Sequence, residues 1–387
     1  MDLTEILFHT GENREQYFNA VSTPVIQSSN FVFTDLDVYR KMMENELTGR
    51  IYSRGNNPTV EILRQKVAAL ENADDSLIFA SGCAAIAAAV IGNVKAGDHI
   101  VCVNAPYSWT VSLLKKFMPR FGVTATFVDA KHIENIENAI QPNTTVLYLE
   151  SPNTLTFEVQ DLTACAALCK KHNLVSIIDN SYASPLFQRP IDFGIDIVVH
   201  SATKYLNGHS DVVAGVLCGT KDMVQKLFDS EFMTIGAIIS PHDANLVIRG
   251  LRTLELRMKR CDESANIIVN YLKNHPKIKN IYHPFLNEGT PQYLIAKKQM
   301  SGAGGLFSIE TTATTKEQAE AFFYALKRFT FAVSWGGHES LIFPTVAVYD
   351  IKGRPNPVLP IGFARLYIGL EDPQWLIEDL ENALKVI

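Results

Sequence analysis

Lys204 is the residue around which chemistry can be built. A lone lysine is ordinarily a solvated surface group, but this one follows the apolar run IDIVVH (195–200) directly and closes the turn Ser201-Ala202-Thr203-Lys204. A hydroxyl-rich turn at the carboxyl end of a strand stands where α/β folds place ligands. Ser201 and Thr203 offer hydroxyls to a phosphate, and a lysine held out of water has the lowered pKa of an imine-forming amine.

Asp179 ends the run VSIIDN (175–180) and brings a carboxylate to the tip of another strand. An isolated aspartate there is usually a turn or capping residue. Paired with an imine-forming lysine it has a second use. A carboxylate opposite the pyridinium nitrogen of an imine-forming cofactor keeps that nitrogen protonated and the cofactor an electron sink. Ser81-Gly82-Cys83-Ala84-Ala85 joins the run SLIFA (76–80) to the helical pattern AAIAAAVIGNV (84–94). A small-residue turn at a helix start presents free backbone N–H groups to an anion, although tight packing alone would explain it equally well. Together with Ser201 and Thr203 it makes a phosphate cup.

These residues need a frame. Between about residues 58 and 242, seven short apolar runs (SLIFASG, DHIVCVN, VTATFVD, TTVLYLESP, LVSIIDNS, IDIVVHSATK, VVAGVLCG) alternate with helical patterns such as NPTVEILRQKVAALEN. Continuous apolar runs separated by helices predict one large α/β domain with a mostly parallel sheet covered on both faces. Residues 1–57 mix aromatic and polar residues without a sheet of their own and read as an arm for a partner subunit. Residues 243–387 read as a smaller α+β domain: one long helix over ANLVIRGLRTLELRMKRCDESANIIVNYLKNH (244–275), strands at GGLFSIET, SLIFPTVAV and ARLYIGL, and helices at KEQAEAFFYALKRF and PQWLIEDLENALKVI.

Bulk properties narrow the function. The 387 residues carry a net charge of −6, which gives no field for nucleic acid or an anionic membrane. No run is apolar enough for a membrane span, and the acidic start MDLTE disfavours a signal peptide. Six scattered cysteines suit reduced core thiols and a cytoplasmic setting. Cys165 and Cys169 stand four apart with no ligand pair to complete a zinc site, so no metal is expected.

Tyr52-Ser53-Arg54, Ser81-Gly82, Tyr107, Glu150-Ser151-Pro152, DNSYASP from Asp179, HSATKYLNGHSD around Lys204, SWGGHESL from Ser334 and ARLYIGLED from Ala364 complete a set. From about Gly11 to the C-terminus the chain resembles the fold-type I, pyridoxal-phosphate-dependent enzymes of cysteine and methionine metabolism. The resemblance implies that Lys204 carries the cofactor and also acts as base, that Asp179 pairs with its ring nitrogen and that Tyr107 stacks on the ring. It further implies a phosphate site of Gly82, Cys83, Ser201 and Thr203, completed in trans by Tyr52 and Arg54 of a neighbouring subunit, hence a homo-oligomer of active dimers, with a tetramer favoured.

Arg365, a charge in the apolar run FARLYIGL, resembles the family arginine that grips the substrate carboxylate, a task suited to a two-pronged guanidinium. Ser334 would offer a main-chain contact to the same group. Two departures stand out. Asn153 is one place early and Thr154 fills the usual asparagine position, while Trp109 replaces the cysteine of methionine γ-lyases. The ESP, YLNGHSD and SWGG patterns resemble bacterial cystathionine β-lyases most closely. The resemblance therefore implies β-elimination of cystathionine and related thioethers to a thiol, pyruvate and ammonia, with Val333 and Trp335 restricting a γ-route. The alternatives are a cystathionine or methionine γ-lyase, a γ-replacing transferase, and a cofactor-binding protein with little turnover.

Overall fold

The computed structural model describes residues 1–353 and 356–387. Every apolar run expected between residues 58 and 242 is a strand: β1 (Asp75–Phe79), β2 (His99–Val103), β3 (Thr124–Val128), β4 (Thr144–Glu150), β5 (Val175–Asp179), β6 (Ile197–Ser201) and β7 (Gly215–Gly219). They form one sheet in the order β1-β7-β6-β5-β4-β2-β3. Strands β2 to β6 pair in parallel, whereas β7 runs antiparallel to both β6 and β1. The reason lies in the connections. Parallel neighbours need a crossover, usually a helix, and no helix lies between β6 and β7. The chain simply turns back, and the Lys204 turn is that return.

Both faces of the sheet are buried, which is why its strands are apolar throughout. On β2, Val101 and Val103 belong to one core cluster and Ile100 and Cys102 to the other. The helices that matter for the site follow from local signals. Helix α1 (Leu3–Phe8) is capped by Asp2, α2 (Leu36–Met43) by Asp35, α3 (Pro58–Glu71) by Asn57 with Pro58 in its first turn, and α4 (Gly82–Ile91) by Ser81. Each cap accepts a backbone N–H that the helix itself leaves without a partner.

The arm is tied down at its start. Ile6 and Leu7 are buried, and Lys66 of α3 donates to their carbonyls at 3.1 Å each and pairs with Glu12 at 3.1 Å. Beyond Glu12 the arm exposes large apolar side chains, among them Phe18, Val21, Val32 and Leu36.

The single helix expected over residues 244–275 is two, Pro241–Leu251 and Leu254–Leu272. The break has a local cause. The Gly250 carbonyl is taken by the Thr253 amide at 3.1 Å and by Arg257 Nη2 at 2.7 Å, so it does not continue the helical ladder. A five-stranded sheet follows, ordered β10-β11-β12-β9-β8, from β8 (Ile278–Tyr282), β9 (Leu306–Thr311), β10 (Thr330–Phe331), β11 (Leu341–Pro344) and β12 (Phe363–Tyr367). Strands β9, β11 and β12 are the expected ones. The edge strands β8 and β10 carry too little apolar pattern to announce themselves: the β10 residues Thr330 and Phe331 are both exposed. No helix among the described residues is long and apolar enough to cross a membrane.

Candidate active site

The carboxyl ends of β5 and β6 lie side by side, and one hydroxyl stitches them together. Ser181 donates its Oγ–H to Asp179 Oδ1 at 2.5 Å, adds its backbone N–H at 2.9 Å, and accepts the Ser201 N–H at 2.7 Å. Asp179 is buried, and burial pushes its pKa up against the pull of Ser181, His200 and Lys204. A carboxylate so placed is costly to ionise without a cation opposite it. That is the condition a pyridinium nitrogen would meet.

Ser201 faces the start of α4. A Cβ on Gly82 would lie 2.9 Å from both Cα and Cβ of Ser201, so only glycine lets the helix terminus approach this closely. The Ser81 hydroxyl caps the Ala84 N–H at 3.1 Å, and the amides of Gly82 and Cys83 open the helix. Free amides at a helix start beside a serine hydroxyl are suited to a phosphate. Thr203 is shared: its Oγ1 accepts the Ala214 N–H at 3.0 Å and so also braces the return to β7.

Lys204 Nζ donates to Ser334 Oγ at 2.6 Å and stands 5.4 Å from the centre of the Trp335 ring. Burial, and next the Arg365 cation, bring its pKa down to about 8, against the opposing pull of Asp179 and Cys83. Arg365, on β12, donates through Nη2 to the Val333 carbonyl at 2.6 Å and lies over the Phe343 ring. Burial lowers its pKa to about 10, so it remains a cation at neutral pH. Tyr107 is fixed through its backbone N–H, which donates to Glu150 Oε2 at 2.7 Å, and its hydroxyl lies 4.0 Å from Cys83 Sγ. Burial first, then Cys83, raises the Tyr107 pKa to about 12, and burial with Asp179 nearby raises that of Glu150 to about 8.

The structure thus gathers Lys204, Asp179, Tyr107, Gly82, Cys83, Ser201, Thr203, Ser334, Trp335 and Arg365 around one place. Tyr52 and Arg54 stay outside it. The Arg54 guanidinium lies 5.3 Å from the centre of the Tyr52 ring, and among the described residues no hydrogen bond or ring contact joins either to the others. Asn153 is occupied within its own loop, accepting from the Thr156 hydroxyl and the Glu158 amide. Sequence reasoning did not single out Ser181, nor the buried pair of His200 on β6 and Glu71 at the end of α3, joined at 2.5 Å, with Asn180 also donating to Glu71 at 3.0 Å. Adjacency to Asp179 and to Ser201 was the only signal either carried.

A half-buried lysine beside a buried carboxylate and an anion cup, at the strand ends of a covered sheet, is an arrangement suited to holding a pyridoxal cofactor. The sequence matches the family of Cys/Met metabolism PLP-dependent enzymes over residues 4–385, and the chain belongs to that family, whose cofactor is pyridoxal 5'-phosphate. It is 37% identical to the L-methionine gamma-lyase of Fusobacterium nucleatum subsp. nucleatum, over 98% of this chain and 97% of that one. Identity is also 37% to the cystathionine gamma-lyase of Bacillus subtilis (strain 168), over 99% of each. The crystal structure of metB from Corynebacterium glutamicum superposes with a TM-score of 0.92 at 33% identity, covering 100% of this chain and 98% of that one.

Proposed function

We propose that this enzyme is a γ-lyase of thioether amino acids, releasing a thiol, 2-oxobutyrate and ammonia from a methionine- or cystathionine-like substrate. The observation that carries this reading is the end-to-end similarity to relatives named methionine and cystathionine γ-lyases. The β-elimination expected from the sequence rested on the likeness of the ESP, YLNGHSD and SWGG patterns to β-lyases, with Val333 and Trp335 as added restrictions, whereas these end-to-end relatives are named γ-lyases. Val333 is 77% exposed, and Trp335 packs edge-on against Tyr205 while its ring centre stands 5.4 Å from Lys204 Nζ.

Each residue then has a task. Bound pyridoxal phosphate supplies the electron sink that makes the hydrogens at Cα and then Cβ acidic. Asp179 holds the ring nitrogen charged, while Gly82, Cys83, Ser201 and the shared Thr203 hydroxyl hold the phosphate. Arg365 takes the substrate carboxylate, with the Ser334 main chain beside it. The Lys204 amine, a weak base at about 8, would take the proton from Cα, release it to the imine carbon and then take one from Cβ, and the Ser334 hydroxyl keeps it aimed. The Tyr107 hydroxyl, kept protonated by burial, gives its proton to the departing sulfur. Tyr52 and Arg54, exposed and away from their own chain's site, complete the phosphate site of a partner subunit, which makes the working enzyme a homo-oligomer.

The test is to incubate the holoenzyme separately with methionine and with cystathionine and to identify the keto acid. 2-Oxobutyrate supports the γ-reading. Pyruvate from cystathionine returns the assignment to β-elimination, and turnover of neither overturns both.

A further inference from the structure

Lys204 lies in the turn after β6 of the large sheet and Arg365 on β12 of the smaller one, so something must fix the distance between them. The residue after Lys204 sits where the two layers meet. Tyr205 is 1% exposed; its ring meets Trp335 edge-on at 5.4 Å and Tyr367 at 5.9 Å. Its hydroxyl accepts the Gly305 N–H at 2.8 Å, and its carbonyl accepts Arg257 Nη1 at 2.8 Å. Tyr367 lies two residues beyond Arg365 on β12 and therefore on the same face. Its own hydroxyl donates to the Gly337 carbonyl at 2.7 Å. One side of Tyr205 thus touches the neighbour of Ser334, and the other touches the residue that shares a strand face with Arg365.

The contact has no slack. A Cβ on Gly304 would come within 2.5 Å of the Tyr205 hydroxyl, and one on Gly336 within 2.9 Å of Lys204 Cα. Close-packed aromatic rings transmit position because they cannot be compressed.

We propose that Tyr205 is a positioning residue for substrate capture: it sets the separation between the Lys204 turn and Arg365, so that the amine and carboxylate of one amino acid are met together. The proposal rests on the reading of Arg365 as the carboxylate grip. An α-amino acid holds its two charged ends at one fixed, short spacing, so a displaced grip can serve one end only at the expense of the other. An amine without a carboxylate has no such requirement.

That difference gives the experiment. Holoenzyme carrying Tyr205→Leu, Tyr205→Phe or Tyr367→Phe is titrated by visible absorbance with glycine, which has both ends and no leaving group, and with methylamine, which lacks the carboxylate. Tyr205→Leu weakens glycine binding by roughly tenfold or more and leaves methylamine within about twofold of the parent. Tyr205→Phe, which keeps the ring, restores glycine binding to within about threefold. Tyr367→Phe, a milder change that does not empty the core, weakens glycine alone by about two- to tenfold. In an Arg365→Leu background Tyr205→Leu has no further effect on glycine. Equal losses for glycine and methylamine, or no loss for either, overturn the proposal. An Arg365→Leu enzyme that binds glycine as tightly as the parent overturns the carboxylate grip itself, and the proposal falls with it.

Discussion

The lowered pKa of Lys204 should be directly visible in how fast the enzyme without cofactor takes up pyridoxal phosphate. An ordinary lysine amine titrates near 10.5, so at pH 8 only about one in three hundred is free to attack an aldehyde. Burial and the Arg365 cation bring Lys204 down to about 8, so about half is free at that pH, a gain on the order of 150-fold. The rate at which the visible band of the bound cofactor returns, measured under limiting cofactor from pH 6 to 10.5, should rise with a midpoint near 8. Arg365→Leu removes the second cause of the shift. Its midpoint should move upward, each unit costing about tenfold in free amine at pH 7. A parent profile with its midpoint above 10 would refute the argument, as would an Arg365→Leu profile at or below the parent's.

The same shift is a stability statement. Because the folded pKa of Lys204 lies below its unfolded value, its cost is fully present below pH 8 and fades as pH rises toward 10.5. Cofactor-free Lys204→Met protein should therefore resist urea better than the parent at pH 7, by at most about 3 kcal/mol, with the gap closing in alkali. Ser181→Ala takes one hydrogen bond from buried Asp179 and orphans the Ser201 amide; at about 1–3 kcal/mol for such a loss, cofactor retention on dialysis should weaken about five- to 150-fold. Finally, mixing Arg54→Ala with Lys204→Ala protein should yield activity that neither has alone, since a hybrid dimer would contain one site with both residues intact. No recovery, with subunit exchange proven by differently tagged chains, would place Arg54 in its own chain's site.

The sequence by itself determined the strands of the large sheet and the class of the chemistry, a pyridoxal-phosphate enzyme of cysteine and methionine metabolism. Seven uninterrupted apolar runs could only be strands buried on both faces, and their ends carried Asp179, Ser201 and Lys204 where a parallel sheet leaves its ligand crevice. Those are local signals, readable because period and turn chemistry are written in neighbouring residues. The break at Gly250 was less legible: the pattern stays helical, and only Arg257 and Thr253, brought onto one carbonyl, end the ladder.

Tertiary structure decided everything that depends on residues meeting across the chain. It turned β7 antiparallel, made Ser181 the link between two strand ends, and gave the Lys204 amine a partner 130 positions away in Ser334. It also set Trp335 edge-on against Tyr205 and beside the Lys204 amine, contacts the SWGG run alone does not show. A side chain's type can be read from a sequence, but whether it walls a site or braces it depends on the direction in which packing leaves it pointing.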